Sequence, residues 1–216
     1  LQMADEYKFS IVAPEQKIEN DFYEIGCFNF YKPEDFARDQ GETKSVKSMI
    51  DHMVTLDSID ESKVFVTGFS AGGIFSATLY ANYPDIINGM GVVSGGPYHC
   101  ATDLISASTC NLVGVNKSPT TWGDYVRNAS DFSELIEGDK VIIFHGKGDG
   151  WIVYMNAEEL QQQWENVGAD VYLETFSSGE HLFPIDTLSG CGEPFDRTED
   201  IGRCIVREIV LYLGMD

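Results

Sequence analysis

The sequence predicts an α/β protein, a mostly parallel sheet flanked by helices. Three observations point there. Short β-rich apolar runs alternate along the chain with longer segments whose apolar residues recur at helical spacing. The short runs are nearly continuous in apolar residues, as strands covered on both faces must be. No repeat, low-complexity stretch or linker interrupts the 216 residues, so residues 1–216 read as one compact domain.

The elements follow in order. Phe9 to Ala13 (FSIVA) reads as a short buried strand ended by Pro14. Glu42 to Leu56 sets Val46, Met49, Ile50, Met53 and Val54 on one side of an amphipathic helix. Val64 to Thr67 is β-rich, and a helix from Ala71 to Tyr83 follows, stopped by Pro84. Met90 to Val93 and Val141 to Phe144 are two further strands. Asn156 to Val167 is helical, Val171 to Phe176 strand-like, and Ile201, Cys204, Ile205, Ile209, Tyr212 and Leu213 mark a last helix.

Charge limits the partners. With 35 acidic against 14 basic side chains, the formal charge is −21. Nucleic-acid binding needs clustered Lys and Arg, and anionic membranes repel such a surface, so neither partner is expected. No stretch approaches the ~18 apolar residues that span a bilayer. The chain opens at Leu1 with no basic-then-apolar leader, which reads as a processed or trimmed product. Five cysteines (Cys27, Cys100, Cys110, Cys191, Cys204) include no CxxC pair, so no metal or cofactor site is expected. Cys204 falls in an apolar helical stripe and reads as a buried thiol. The other four lie in loop-like sequence, where export would favour disulfides. Asn116-Lys-Ser and Asn128-Ala-Ser match glycosylation sequons, a weak pointer to a secreted or extracytoplasmic location.

The chemistry concentrates in Gly68-Phe69-Ser70-Ala71-Gly72, set between the strand VFVT and a helix. A serine on that sharp strand-to-helix turn presents its hydroxyl, and the next amide, from Ala71, points at a developing oxyanion. The plainer reading is a turn whose serine only caps the helix. A nucleophilic serine needs a base and an acid to orient it, and on a parallel sheet all three gather at the carboxyl edge. Asp149 lies in the loop after Val141–Phe144, and His181 in the loop after Val171–Phe176. Of the other histidines, His52 reads as solvated, His145 as structural, and His99 as a substrate contact. Asp170 and Asp186 are poorer rivals to Asp149, since Asp170 begins its strand at the wrong end of the sheet. Tyr98, Trp122 and Trp151 are candidates to bind substrate through flat apolar surface, although aromatics are more often core.

These residues resemble a known family. VFVTGFSAGGIFSATLYANYPDIINGMGVVSGGPYHCA is similar to the extracellular poly(3-hydroxybutyrate) depolymerases and to the feruloyl and acetylxylan esterases. The likeness extends to GCFNFYKPEDFARDQGETKSVKSMIDHM, SPTTWGDYVRNAS, VIIFHGKGDGWI and GEHLFPID. It implies an α/β-hydrolase fold and cofactor-free hydrolysis of a neutral ester or polymer through an acyl-enzyme. Ser70 would be the nucleophile, Asp149 the acid and His181 the base. The resemblance also implies strands ahead of Leu1, among them a central one whose following loop gives a second oxyanion donor. Five strands are visible here, fewer than the family carries, so a domain lacking its N-terminal strands is expected. A partner segment in the gap or a rearranged sheet would be the alternatives. The lost segment is often followed by a cysteine that resemblance would pair with Cys27. A non-catalytic polymer- or partner-binding module is the competing reading, and a serine peptidase would use the same three residues.

Overall fold

A computed structural model describes residues 2–17, 26–56, 59–177, 179–181 and 198–214. Asp186 and Cys191 lie outside them. The elements run α1 (Gln2–Tyr7), α2 (Pro33–Phe36), α3 (Gly41–Val54), β1 (Val66–Phe69), α4 (Ala71–Asn82), β2 (Gly89–Val93), α5 (Leu104–Leu112) and α6 (Pro119–Arg127). A 3₁₀ turn at Ser133–Ile136 leads into β3 (Lys140–Gly146), α7 (Met155–Asn166), β4 (Asp170–Phe176) and α8 (Thr198–Leu213). The four strands form one sheet in the order β1-β2-β3-β4, and every pairing is parallel. Val66 pairs with Met90, Met90 with Val141, and Val141 with Val171, so the strand ends align.

Strand period explains the two-sided core. In β3, Val141 and Ile143 point into the cluster built with α3, α4, α6 and α7, around Phe75, Tyr80, Leu160 and Trp164. Ile142 and Phe144 point the other way, onto Ile205, Ile209 and Leu213 of α8. Both faces are therefore dry, as parallel strands require. In β2, Gly91 lets α8 close in, because a Cβ there would meet Ile209.

Two helices were not legible from apolar period, yet both carry capping signals. Asp103 and Ser106 form a capping box at the start of α5. Ser118 accepts from the Thr121 amide, with Pro119 at the first helical position of α6. Cys100 and Cys110 are joined by a disulfide that ties α5 to the loop after β2. Cys204 is buried as expected, but it is disulfide-bonded rather than a thiol.

The fifth expected strand does not form. Phe9 to Ala13 belongs to no ladder, and Ile11 and Val12 are exposed. The segment lies across a cavity of about 600 Å³ from β1, with Val46 and Ile50 of α3 and Phe75 and Leu79 of α4 in the walls. A strand needs a partner backbone about 4.8 Å away, and here the cavity intervenes. Among the described residues β1 is thus an edge of the sheet. No described helix is long and apolar enough to cross a membrane.

Packing separates costly positions from neutral ones. Ile143→Ala should lower the unfolding free energy by about 2–5 kcal/mol, because its side chain is fully buried mid-sheet. Ile105→Ala, 82% exposed, should change it by no more than about 0.5 kcal/mol. Urea titration of both variants checks the contrast.

Candidate active site

The site begins with backbone strain. Ser70, between β1 and α4, has φ 55° and ψ −125°, a conformation that L residues seldom adopt. Three bonds hold it there. The Ser70 amide donates to the Val93 carbonyl at 3.0 Å, and the Ser70 carbonyl accepts from the Gly73 and Ile74 amides. Its side chain makes no capping bond, which removes the plain helix-cap reading. Instead, Oγ lies 2.8 Å from His181 Nε2. Ala71 is the first residue of α4, so its amide has no intrahelical acceptor.

His181 follows β4 at the far side of the sheet from β1, three strand spacings away at roughly 4.8 Å each. Its loop must therefore cross the end of β3. Gly146 permits the crossing, since a Cβ on it would fall on the Gly179 backbone. The Lys147 amide donates to Phe176 O at 2.8 Å and the Gly148 amide to Gly179 O at 3.0 Å, fastening one loop to the other.

Asp149, buried in the loop after β3, receives His181 Nδ1 on Oδ2 at 2.8 Å. Its Oδ1 accepts the Trp151 and Ile152 amides at 2.9 and 2.8 Å. Because a carboxylate only accepts, His181 carries its proton on Nδ1 and offers Nε2 to the serine hydroxyl. Burial pushes the Asp149 carboxyl up, but the bonds from His181, Ile152 and Trp151 outweigh it and hold it below the ordinary range. The chain Ser70–His181–Asp149 can pass a proton from a hydroxyl to an imidazole whose positive charge a carboxylate then balances.

The aromatic candidates divide. Trp122 is fully buried with its Nε1 donating to Glu159, and Tyr98 is buried against Phe36. Both serve the core, so neither offers the flat surface expected of it. Trp151 is 72% exposed, with its ring stacked near His181 at 6.1 Å. Sequence reasoning missed Phe69, 41% exposed and 4.9 Å from the His181 ring. Its place directly before the serine was the available signal. His99 is half-buried among Phe36, Tyr98 and Tyr125, and His52 is solvated. Among the described residues no group of His, Cys, Asp or Glu could hold a metal ion.

A family model described as Esterase PHB depolymerase matches residues 1–176. The chain belongs to this esterase family. It is 39% identical over 165 residues to poly(3-hydroxyalkanoate) depolymerase C of Paucimonas lemoignei, covering 76% of this chain and 39% of that protein. It is 31% identical over 171 residues to feruloyl esterase B of Thermothelomyces thermophilus, covering 76% and 56%. The chain thus spans roughly two-fifths to three-fifths of these relatives. Among solved structures, an acetyl xylan esterase from Aspergillus awamori superposes with TM-score 0.72 at 18% identity over 100% of this chain and 81% of that one. That likeness shows the fold, an α/β-hydrolase-type parallel sheet flanked by helices. A PHB depolymerase complexed with an R3HB trimer gives TM-score 0.52 at 25% identity, covering 63% and 44%.

Two outcomes follow from the geometry of this family member. Gly68→Ala should lower turnover at least about 100-fold, because the new Cβ would fall on the Gly72 carbonyl and displace the serine turn. Steady-state kinetics on the folded variant checks it. His145 is buried, and burial lowers its pKa from 6.5. Below pH 6.5 the unfolded chain therefore binds a proton that the folded chain refuses, so stability contributed by neutral His145 is lost as pH falls. The urea midpoint of His145→Gln should accordingly fall less than that of the wild type between pH 7.5 and 5.5.

Proposed function

We propose that this chain is a serine hydrolase that cleaves carboxylic esters through an acyl-enzyme. The observation that carries the reading is the unbroken hydrogen-bonded chain from Ser70 Oγ through His181 to Asp149 Oδ2. In this reading His181 Nε2 takes the Ser70 proton as Oγ attacks the ester carbonyl. The carbonyl oxygen becomes an oxyanion and accepts the Ala71 amide, in a transition state where one such donor is worth roughly 10²–10³ in rate. The C–O bond breaks, and the alcohol leaves with the proton from His181. Water then gives a proton to His181 and attacks the acyl carbon, and the carboxylic acid departs as Ser70 recovers its hydrogen. Asp149 stays ionised throughout.

Trp151 is the substrate-facing aromatic in this proposal, with Phe69 beside the base. The names of the relatives support a polyhydroxyalkanoate, feruloyl or acetylxylan ester as substrate. A secreted enzyme fits such polymers, which cells cannot import, and the Cys100–Cys110 disulfide fits an oxidising compartment. The reading takes residues 1–216 as part or all of one catalytic domain.

Ser70→Ala should lower ester hydrolysis by roughly 10⁴–10⁶-fold at an unchanged urea midpoint, and Asp149→Asn by roughly 10⁴-fold. A fluorophosphonate should add to Ser70 alone, read by intact mass and peptide mapping; a folded chain that stays unlabelled sinks the reading. Release of hydroxybutyrate, ferulate and acetate from matched substrates then ranks the three ester classes.

A further inference from the structure

The proposed reaction uses Ser70, His181 and Asp149, yet a second histidine is buried beside them. His145, near the C-terminal end of β3, is wholly shielded from solvent. Its Nε2 lies 2.8 Å from the Ile152 carbonyl oxygen and 3.5 Å from Asp149 Oδ2. A carbonyl only accepts, so the hydrogen is on Nε2 and is donated to the Ile152 carbonyl. Nδ1 is buried with no hydrogen-bond partner. An apolar side chain would fill this space without the cost of a desolvated, half-satisfied imidazole. What the imidazole adds is one donor, aimed across the turn from residue 145 to residue 152.

That turn carries the reacting machinery. The Asp149 amide donates to Gly146 O at 3.2 Å, and Asp149 Oδ1 collects the Trp151 and Ile152 amides. The His145–Ile152 bond closes the same turn from the strand side, leaving Oδ2 turned toward His181. We propose that His145 is a positioning residue, whose neutral Nε2–H clamps this turn and holds Asp149 Oδ2 against the His181 imidazole. The inference rests on the serine-esterase reading above.

The surroundings suit a neutral clamp. The ionisable groups facing His145 are Asp149 and His181, with Tyr154 edge-on at 6.0 Å and Lys147 above the Tyr154 ring. Burial lowers the His145 pKa, and a charge on His181 lowers it further, so His145 stays neutral while His181 takes the serine proton.

The test compares His145→Gln, His145→Asn and His145→Leu with the wild type and Ser70→Ala, on a soluble p-nitrophenyl ester across pH 5–9. The glutamine amide nitrogen can occupy the place of Nε2, whereas the asparagine amide reaches only that of Nδ1. Expected are a kcat roughly 10–100-fold lower for the asparagine and leucine variants, with KM within about twofold. The glutamine variant should recover most of kcat. A folded asparagine or leucine variant with wild-type kcat overturns the inference, as does a glutamine variant as slow as asparagine. If leucine fails to fold, the glutamine–asparagine pair decides alone. If Ser70→Ala is as active as the wild type, the esterase reading itself fails; if Ser70→Ala is inactive and the His145 variants are normal, only the clamp does.

Discussion

The structure turns on one hydrogen bond between elements that begin far apart, Ser70 Oγ to His181 Nε2 at 2.8 Å. Ser70 follows β1 and His181 lies in the loop after β4, at opposite sides of a four-stranded sheet. For these atoms to meet, Ser70 must project upward from a backbone with φ 55°, and the β4 loop must traverse the end of β3. Neither arrangement is favourable locally. The first is held by the Val93 carbonyl and the opening turn of α4, the second by the close passage of Gly146 and Gly179. Strain at Ser70 is thus balanced by ladder and helix bonds on either side of it.

The same edge gathers other unusual backbone. Ser94 and His99, both in the loop after β2, also have positive φ, at 47° and 62°. Between them runs Gly95, where a Cβ would crowd Gly73 and Val92. The carboxyl edge is therefore where this fold concentrates its irregular backbone, above strands whose interior is regular and dry. The buried Asp149 lies in that edge and remains ionised because it accepts from His181 and two amides. In the proposed reaction an imidazolium forming at His181 finds its counter-charge already fixed.

Around this edge the supports differ in kind. The face toward α4 and α7 is filled by large aromatics, with Tyr80 stacked on Trp164 at 4.7 Å. The opposite face is covered by α8, packed closely enough to need Gly91 in β2. Beside β1 the packing gives way to a cavity of about 600 Å³. The strand that leads into Ser70 is thus an edge among the described residues, held chiefly by β2 and α4.

The sequence by itself determined the alternation of strands and helices and the serine turn. Buried parallel strands must be continuously apolar, and a GxSxG between strand and helix has few other uses. It also determined Asp149 and His181 as candidates, because parallel strands bring their following loops to one edge. Phe9 to Ala13 shows the limit of that reasoning: FSIVA has strand composition, but a ladder needs a neighbour, and only the tertiary structure shows a cavity where one would pair. Trp122, Tyr98 and Trp151 show it again. All three are aromatic in loop-rich sequence, and their burial, which no local pattern encodes, leaves only Trp151 facing solvent beside His181. Phe69 and His145 likewise gain their places from distances across the sheet. Local chemistry is written residue by residue, whereas exposure and approach depend on every element that packs around them.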